Sequence, residues 1–258
     1  MTTLTLAAIQ LTSTPRIADN IATMQKLVAQ AAAQGANWVL LPEYWPLMGR
    51  HDTDKLAQAE QFGRGPLQIF MAELAARHRI VLFGGSIPLL ANESGKIINS
   101  LLVYGRDGQC LSRYDKAHLF SYTGIGESYR EADTIEAGNR IPPSVEIDGW
   151  RYGQGVCYDL RFPEFFRAQA PFDALVLPAA FTHTTGRAHW ELLLRARAGE
   201  VEQGIADWWT AFQEADEEQR KQMIQAAEQR PDSGDAPAKK RRRRRKKKTG
   251  AADKGAAE

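Results

Sequence analysis

Short apolar runs alternate with amphipathic stretches through the first 85 residues. Residues 4–10 have the pattern of a strand, and the apolar residues after them recur at helical spacing until Gly35, a residue type that commonly ends helices. A buried strand at 38–42, a helix that opens at Pro66 and a strand at 80–85 repeat the same order. This succession of strands and helices predicts an α/β protein with a layered core.

The pattern changes in the second half of the chain. Two Asp-Gly turns are each flanked by short apolar runs, at 98–113 and at 144–152. Such sequences predict β-hairpins, and therefore antiparallel strands added to the sheets. Beyond them the spacing predicts a short helix after Cys157, a strand at 174–177 and a helix from about 189 to 198.

Composition places most of the chain among globular proteins. Of its 258 residues 43% are hydrophobic and six are Trp, which is enough for a sizeable core. No apolar run has the length of a membrane span, and the first residues lack the basic segment of a secretory signal. The only two cysteines, Cys110 and Cys157, are not at the spacing of a metal site. We therefore expect a protein of the reducing cytoplasm.

The charge of the chain is distributed unevenly. The net charge of +2 includes ten consecutive cations, Lys239 to Lys248, so the other 248 residues carry −8. Because adjacent like charges repel, residues 232–258 are predicted to be disordered. The cations predict RNA binding of low sequence specificity, since no aromatic residues are interleaved to stack on bases. A solubilising tail and a nuclear-localisation patch are the alternatives.

Cys157 lies in Gly-Val-Cys-Tyr-Asp-Leu-Arg-Phe-Pro-Glu, residues 155–164, here named the cysteine segment. Apolar residues lead into the cysteine and Pro163 stands where a helix would begin, which predicts a tight turn from strand to helix. A thiol at such a turn lies near the N–H groups of the helix, which favour negative charge. The alternative is a buried cysteine that packs as a small apolar residue.

Two other reactive side chains also follow apolar strands. Glu43 comes directly after Leu-Leu-Pro at 40–42, and Lys116 follows a strand that passes through residues 113–115. Because strand ends meet at one edge of a layered sheet, we expect Glu43, Lys116 and Cys157 to lie close together.

The histidines leave a Cys–His pair as the competing chemistry. No local cysteine-protease signature surrounds Cys157, however. His118 is interpreted as a structural hydrogen-bonding residue, and His189, at the predicted start of a helix, as a packing or capping residue. Arg161 and Glu164 are predicted to hold the cysteine turn by ion pairs or hydrogen bonds.

Three ordered motifs resemble the signatures of the nitrilase (carbon–nitrogen hydrolase) superfamily. They are Leu-Pro-Glu-Tyr-Trp at 41–45, Tyr-Asp-Lys-Ala-His-Leu-Phe at 114–120 and the cysteine segment. The stretch 177–198 is similar to the Nit branch, whose members include deaminated glutathione amidase and omega-amidase. This resemblance covers residues 1–198. It implies a four-layer α-β-β-α sandwich, hydrolysis of a small linear amide, and no need for a metal or organic cofactor; a homodimer is compatible with it.

The resemblance also implies roles for single residues. Cys157 is matched to the nucleophile, Glu43 to the general base and Lys116 to the cation beside the developing oxyanion. The second glutamate of the family is matched by Glu131, with Glu127 left as the alternative.

The pocket residues are predicted less directly. The backbone N–H of Tyr158 is expected to stabilise the oxyanion, to which one donor typically contributes about 3 kcal/mol. Phe181 and Thr182 follow a strand end and are predicted either to line the pocket or to pack the loop.

The chemistry requires the site to change proton affinities. A free thiol has a pKa of about 8.5 and a glutamate one of about 4.3, so proton transfer between them is unfavourable in water. We expect Lys116 and the helix N-terminus to lower the pKa of the Cys157 thiol. The thiolate would attack the amide carbonyl, and the resulting thioester would be hydrolysed by water activated by Glu43.

After residue 198 the sequence departs from the superfamily, and the strands that usually close the sandwich are absent. Residues 199–230 predict an acidic amphipathic helix, with an apolar face formed by Ile205, Trp208, Trp209 and Phe212. Residues 231–258 form the basic tail. The region 199–248 resembles the arginine-rich C-terminal region of bacterial poly(A) polymerase, although residues 1–198 supply no nucleotidyltransferase head. An alternative function is therefore a catalytically impaired fusion protein whose tail binds RNA.

Overall fold

The computed structural model describes residues 3–93, 95–124, 128–200 and 216–228. The chain divides into two units, Met1–Thr210 and Ala211–Glu258. The described part of the second unit is a helix, Glu217–Glu228. The predicted helix around Trp208 and Trp209 and the basic tail lie outside the described residues, and the predicted boundaries at 198 and 230 stay predictions.

In the described part of the first unit, strands and helices follow one another much as the hydrophobic pattern predicts. In chain order they are β1 (Leu6–Ala8), α1 (Ile17–Ala33), β2 (Trp38–Leu40), α2 (Pro66–His78), β3 (Val81–Phe83), β4 (Ile87–Leu90), β5 (Ile97–Tyr104), β6 (Cys110–Asp115), β7 (Ser121–Thr123), β8 (Ser128–Arg130), β9 (Val145–Ile147), β10 (Trp150–Gln154), α3 (Pro163–Arg167), β11 (Ala174–Val176) and α4 (His183–Glu200). Short 3₁₀ helices cover Asp52–Gln58, Glu131–Asp133 and Cys157–Arg161.

The strands form one large sheet and two small ones. In the large sheet β1, β2 and β3 are parallel neighbours, and β5 pairs antiparallel with β3, β4 and β6. In the second sheet β10 lies between β11, which is parallel to it, and β9, which is antiparallel. The third is the hairpin of β7 and β8. Because β6 runs in the same direction as β2, their carboxyl ends lie at the same edge of the large sheet.

The large sheet separates two apolar clusters. On one face Val39 packs with Met24 of α1 and Met71 of α2. On the other face Phe83 packs against Tyr152 of the second sheet, with ring centroids 4.9 Å apart. Alternate residues of a strand point to opposite faces, which is why the continuous apolar run of β2 is buried on both sides.

Helices α3 and α4, which follow Cys157 in the chain, complete the layers. Phe165 and Phe166 of α3 are buried in the same cluster as Tyr152, and Trp190 and Leu194 of α4 pack against it. The layers are therefore helix, sheet, sheet and helix. The predicted four-layer α-β-β-α sandwich is confirmed for the described residues.

The last predicted helix is longer than expected. It begins at His183 rather than near residue 189, so His189 lies in its second turn and the prediction that it caps the helix start is wrong. Thr182 takes the capping position instead, because its hydroxyl accepts the backbone N–H of Thr185 at 3.3 Å. The polar first turn, which contains Gly186, hides the apolar spacing on which the prediction depended.

Several of the described elements were not predicted from the sequence. β4 contains Pro88, which weakens a strand signal, and it pairs with β5 alone among the named strands. The hairpin of β7 and β8 and the 3₁₀ helix Asp52–Gln58 carry mostly polar residues. Among the described residues, no helix has both the length and the apolar character needed to cross a membrane.

Candidate active site

Glu43 lies three residues beyond the end of β2 and is only 3% exposed. Its carboxylate oxygen Oε1 accepts hydrogen bonds from Lys116 Nζ and Asn99 Nδ2, each at 3.0 Å, and its Oε2 accepts the backbone N–H of Ala180 at 2.9 Å. Gly85 has φ of +63° and lies against the loop that carries Glu43. A β-carbon at residue 85 would collide with the backbone carbonyl of Pro42, so glycine allows the two segments to approach closely. The carboxylate is therefore held in one orientation by three donors.

Lys116 directly follows β6 and is completely buried. Its ammonium group lies 3.0 Å from Glu43 Oε1 and 2.9 Å from Glu131 Oε1. Burial alone would lower the pKa of Lys116, but the negative charges of Glu43 and Glu131 outweigh it and hold the pKa above its ordinary value. The lysine is thus a fixed positive charge between two carboxylates.

Cys157 is the first residue of a 3₁₀ helix and has φ of +49°, a conformation that few residues with a β-carbon adopt. Its backbone N–H donates to the carbonyl oxygen of Pro178 at 2.9 Å. Its thiol is close enough to the Glu43 carboxylate and the Lys116 ammonium group to interact electrostatically with both. The predicted turn from strand to helix is confirmed. The backbone is strained at Cys157, the residue that carries the thiol.

The thiol differs in one respect from the expectation. Burial, followed by the charge of Glu43, raises the pKa of Cys157 well above its usual range, although Lys116 acts in the opposite direction. The expected lowering by Lys116 is therefore wrong as a net effect. Desolvation and a neighbouring carboxylate both disfavour the thiolate, and together they exceed the attraction of one ammonium group. The surroundings of the sulfur therefore favour the neutral thiol over the thiolate.

Glu131, in the 3₁₀ helix that follows β8, is 3% exposed. Its Oε1 accepts from Lys116 Nζ and, at 3.0 Å, from the hydroxyl of Tyr44, and its Oε2 accepts the backbone N–H of Phe120 at 2.7 Å. The alternative candidate, Glu127, lies outside the described residues. The structure thus brings Glu43, Lys116, Glu131 and Cys157 into one cluster at neighbouring strand ends.

Sequence similarity assigns the chain to a known family. A family model described as carbon–nitrogen hydrolase matches residues 5–203. The chain belongs to the carbon–nitrogen hydrolases. A deaminated glutathione amidase from Synechocystis sp. is 38% identical to this hydrolase over 197 residues, which are 74% of this chain and 72% of the relative. The human omega-amidase NIT2 is 37% identical over 203 residues, 77% of this chain and 71% of the relative.

The structural comparison gives the same family. Nit3 of Saccharomyces cerevisiae, a member of branch 10 of the nitrilase superfamily, superposes with a TM-score of 0.66 at 28% identity, over 76% of this hydrolase and 71% of that chain. An amidase from Nesterenkonia sp. superposes with a TM-score of 0.64 at 25% identity, over 76% of this hydrolase and 71% of that chain. A second family model, polymerase A arginine-rich C-terminus, matches residues 178–248. Both predicted resemblances are confirmed.

Asp159 joins two of the strand ends in the hydrolase and was not singled out from the sequence. It is completely buried and accepts the hydroxyl of Tyr114 at 2.7 Å and the backbone N–H of Val156 at 2.8 Å. It also accepts the backbone N–H of His118 at 3.0 Å and lies 2.7 Å from its ring Nδ1. The structural interpretation of His118 is confirmed, and the imidazole stacks on Phe162 at a centroid distance of 3.7 Å.

Tyr44 is a second residue of the site that was not singled out from the sequence. It follows Glu43 with φ of +54° and donates its hydroxyl to Glu131. Burial, reinforced by Glu43 and Glu131, raises the pKa of Tyr44 well above its usual range, so the phenol remains a donor. The Leu-Pro-Glu-Tyr-Trp motif marked the position, but only the fold showed that the phenol reaches a glutamate 87 positions away.

The remaining predicted residues lie within the cysteine segment or pack against it. The ring of Tyr158 packs against Phe120 with centroids 5.3 Å apart. The guanidinium of Arg161 lies 5.9 Å above the rings of both Tyr158 and Phe181, and it contacts His189 Nδ1 at 3.2 Å. The predicted hydrogen bonding of Arg161 is therefore confirmed.

Two predicted side chains point to other partners. Thr182 bonds Thr185 at the start of α4, with 2.8 Å between the hydroxyl oxygens. Its hydroxyl thus caps the N-terminus of α4. Glu164 contacts Arg167 at 3.9 Å on the surface, where an ion pair contributes little.

Proposed function

We propose that residues 1–198 hydrolyse the carbon–nitrogen bond of a small linear amide through a thioester on Cys157. The observation that carries this proposal is the juxtaposition of three groups. The thiol of Cys157 interacts with both Glu43 and Lys116, and the Glu43 carboxylate lies 3.0 Å from the buried ammonium of Lys116. In a mutant of the Nesterenkonia amidase, acrylamide adds to the active-site cysteine, which supports a reactive cysteine in this fold.

The first half of the reaction begins with a neutral thiol. As the sulfur attacks the amide carbonyl carbon, Glu43 takes the thiol proton, so that separated charges need not be held before attack. The negative charge on the carbonyl oxygen is stabilised by Lys116 and by the backbone N–H of Tyr158. When the C–N bond breaks, Glu43 gives its proton to the leaving nitrogen and ammonia or an amine departs.

The second half uses the same groups. Glu43 removes a proton from water, the hydroxide oxygen attacks the thioester carbonyl, and the C–S bond breaks to release the acid. The sulfur recovers its proton from Glu43. Glu131 accepts hydrogen bonds from Lys116 and Tyr44, and we assign it the task of keeping the ammonium charged and in place throughout both steps.

The substrates that we propose are omega-amides of dicarboxylic acids and deaminated glutathione. This choice follows from the relatives, which are named for these two activities and are 37–38% identical to the chain. Tyr158 and Phe181 are proposed to line the pocket. A homodimer and a cytoplasmic location stay predictions.

A substrate comparison tests the proposed function. Release of ammonia should be at least about tenfold faster in kcat/KM from succinamate than from butyramide, which has a methyl group in place of the carboxylate. Deaminated glutathione should be tested in parallel, and a thermal melt of the same sample shows that the protein is folded. A folded protein that releases ammonia from none of these amides would contradict the proposal.

A second candidate function rests on the tail. The ten consecutive cations and the match of residues 178–248 to the polymerase A arginine-rich C-terminus favour RNA binding. We propose that Lys239 to Lys248 bind RNA through its phosphates, with little sequence preference.

Filter binding to single-stranded RNA across a salt series tests the tail. Full engagement of the ten cations should give a slope of log Kobs against log salt concentration that is no steeper than about −7. Replacement of the run by ten glutamines should weaken binding and flatten the slope, with amide hydrolysis unchanged. Equal RNA affinity of the two proteins would reject this function and leave the solubilising tail.

A further inference from the structure

Asn99 lies in β5, beside the loops that carry Glu43 and Lys116, and is completely buried. Its side-chain Nδ2 donates to Glu43 Oε1 at 3.0 Å. Its backbone carbonyl accepts the backbone N–H of Lys116 at 2.9 Å. One residue therefore contacts both the carboxylate and the strand end that supplies the ammonium group.

The other side-chain atom of Asn99 has no partner. Its Oδ1 is one of three buried side-chain oxygen atoms, among the described residues, that make no hydrogen bond. A buried acceptor without a donor destabilises a fold, so a residue chosen only for stability at this position would be apolar. The contact that Asn99 does make is the one to Glu43. The side-chain amide is thus positioned to bind the Glu43 carboxylate, although its unpaired oxygen destabilises the fold.

The contacts of Glu43 show what the amide controls. Oε1 accepts from both Asn99 and Lys116, whereas Oε2 accepts from the backbone of Ala180. A carboxylate held only by the flexible lysine could rotate about its own axis. The amide and the backbone N–H are fixed in strand and loop, and together they define the plane in which the carboxylate meets the thiol of Cys157.

We infer that Asn99 is a positioning residue, which fixes the Glu43 carboxylate and the Lys116 backbone as one rigid unit facing Cys157. The inference deepens the proposed function and rests on it. Asn99 has no contact with the reacting atoms in this assignment and acts through Glu43. Its removal should therefore lower the rate of proton transfer and leave substrate affinity nearly unchanged.

Substitution of Asn99 by leucine, which has a similar shape and no polar atom, tests the inference. Asn99→Leu should reduce kcat by about 10- to 100-fold and change KM by less than about twofold. Its melting temperature should stay close to that of the wild type, because removal of the unpaired Oδ1 offsets the loss of the hydrogen bond to Glu43. The acid limb of the pH–rate profile should move to higher pH, because the anionic carboxylate loses a donor.

Asn99→Asp is the second variant, for the case that the leucine protein does not fold. It keeps the shape and turns an oxygen toward Glu43 Oε1, so kcat should fall at least as far as in Asn99→Leu. The matched control is Asn92→Leu. Asn92 Nδ2 donates to Glu136 Oε1 at 3.3 Å on the surface, and its loss should leave kcat, KM and the pH profile unchanged.

A readout without substrate separates this inference from the proposed function. In a Cys110→Ser background, the rate of alkylation of Cys157 by iodoacetamide should fall about tenfold with Asn99→Leu, because the thiol depends on Glu43 for activation. If the wild type releases no ammonia, the proposed function fails and alkylation still decides the role of Asn99. Unchanged kcat and unchanged alkylation would overturn the inference. So would a loss of activity that follows the folded fraction, with the pH profile unmoved.

Discussion

Substitution of Cys157 by alanine should reduce amide hydrolysis by about 10⁴-fold or more, because it removes the sulfur on which the acyl intermediate forms. The side chain that is lost is small, and alanine accepts the same backbone conformation as cysteine. The melting temperature should therefore remain close to that of the wild type. Ammonia release and a thermal melt on the same sample measure the two effects.

The intermediate itself provides a direct check. Rapid acid quench of the wild type during turnover, followed by intact mass measurement, should show the mass of an acyl group on Cys157, and Cys157→Ala should show none. Cys110→Ser is the matched control, since Cys110 is the other free cysteine and is exposed. Turnover retained by Cys157→Ala would remove this cysteine from the mechanism.

Replacement of Lys116 by methionine should abolish hydrolysis and also destabilise the fold by about 3–5 kcal/mol. Methionine fills a similar volume, but it leaves the carboxylates of Glu43 and Glu131 buried without the ammonium group that lies within 3.0 Å of both. Lys96→Met is the control, because the surface pair of Lys96 and Glu93 should contribute at most about 1 kcal/mol. Urea unfolding at several pH values measures the difference.

The pH dependence of this effect has a definite sign. The pKa of Lys116 is raised in the folded protein, so the stabilisation by this lysine is fully present below its ordinary pKa of about 10.4 and is lost only as the pH rises further. In Lys116→Met, lower pH should reduce the deficit, since protonation removes the repulsion between the two carboxylates. A deficit that does not change with pH, or that is no larger than in Lys96→Met, would contradict this account.

Prediction from the sequence was most successful where the signal was local. Apolar runs and turn residues located β2, β6 and β10, and the reactive side chains of Glu43, Lys116 and Cys157 follow those strands. The ends of β2 and β6 lie at the same edge of the large sheet, whereas β10 belongs to the second sheet, and only the packing of the two sheets brings Cys157 to them. Prediction failed at α4, where the polar first turn concealed a helix start, and at β4, where a proline weakened the strand pattern.

The sequence by itself determined the layered fold, the family and the groups that meet at the site, because hydrophobic periodicity and short motifs are properties of neighbouring residues. The tertiary structure alone decided how those groups behave. The raised pKa of the thiol, the second carboxylate on Lys116, and the amide of Asn99 on Glu43 all depend on burial and on contacts between distant residues. The backbone donor to Glu43 comes from Ala180, which is 137 positions away. Desolvation and charge act through space, and no pattern along the chain records the distances on which they depend.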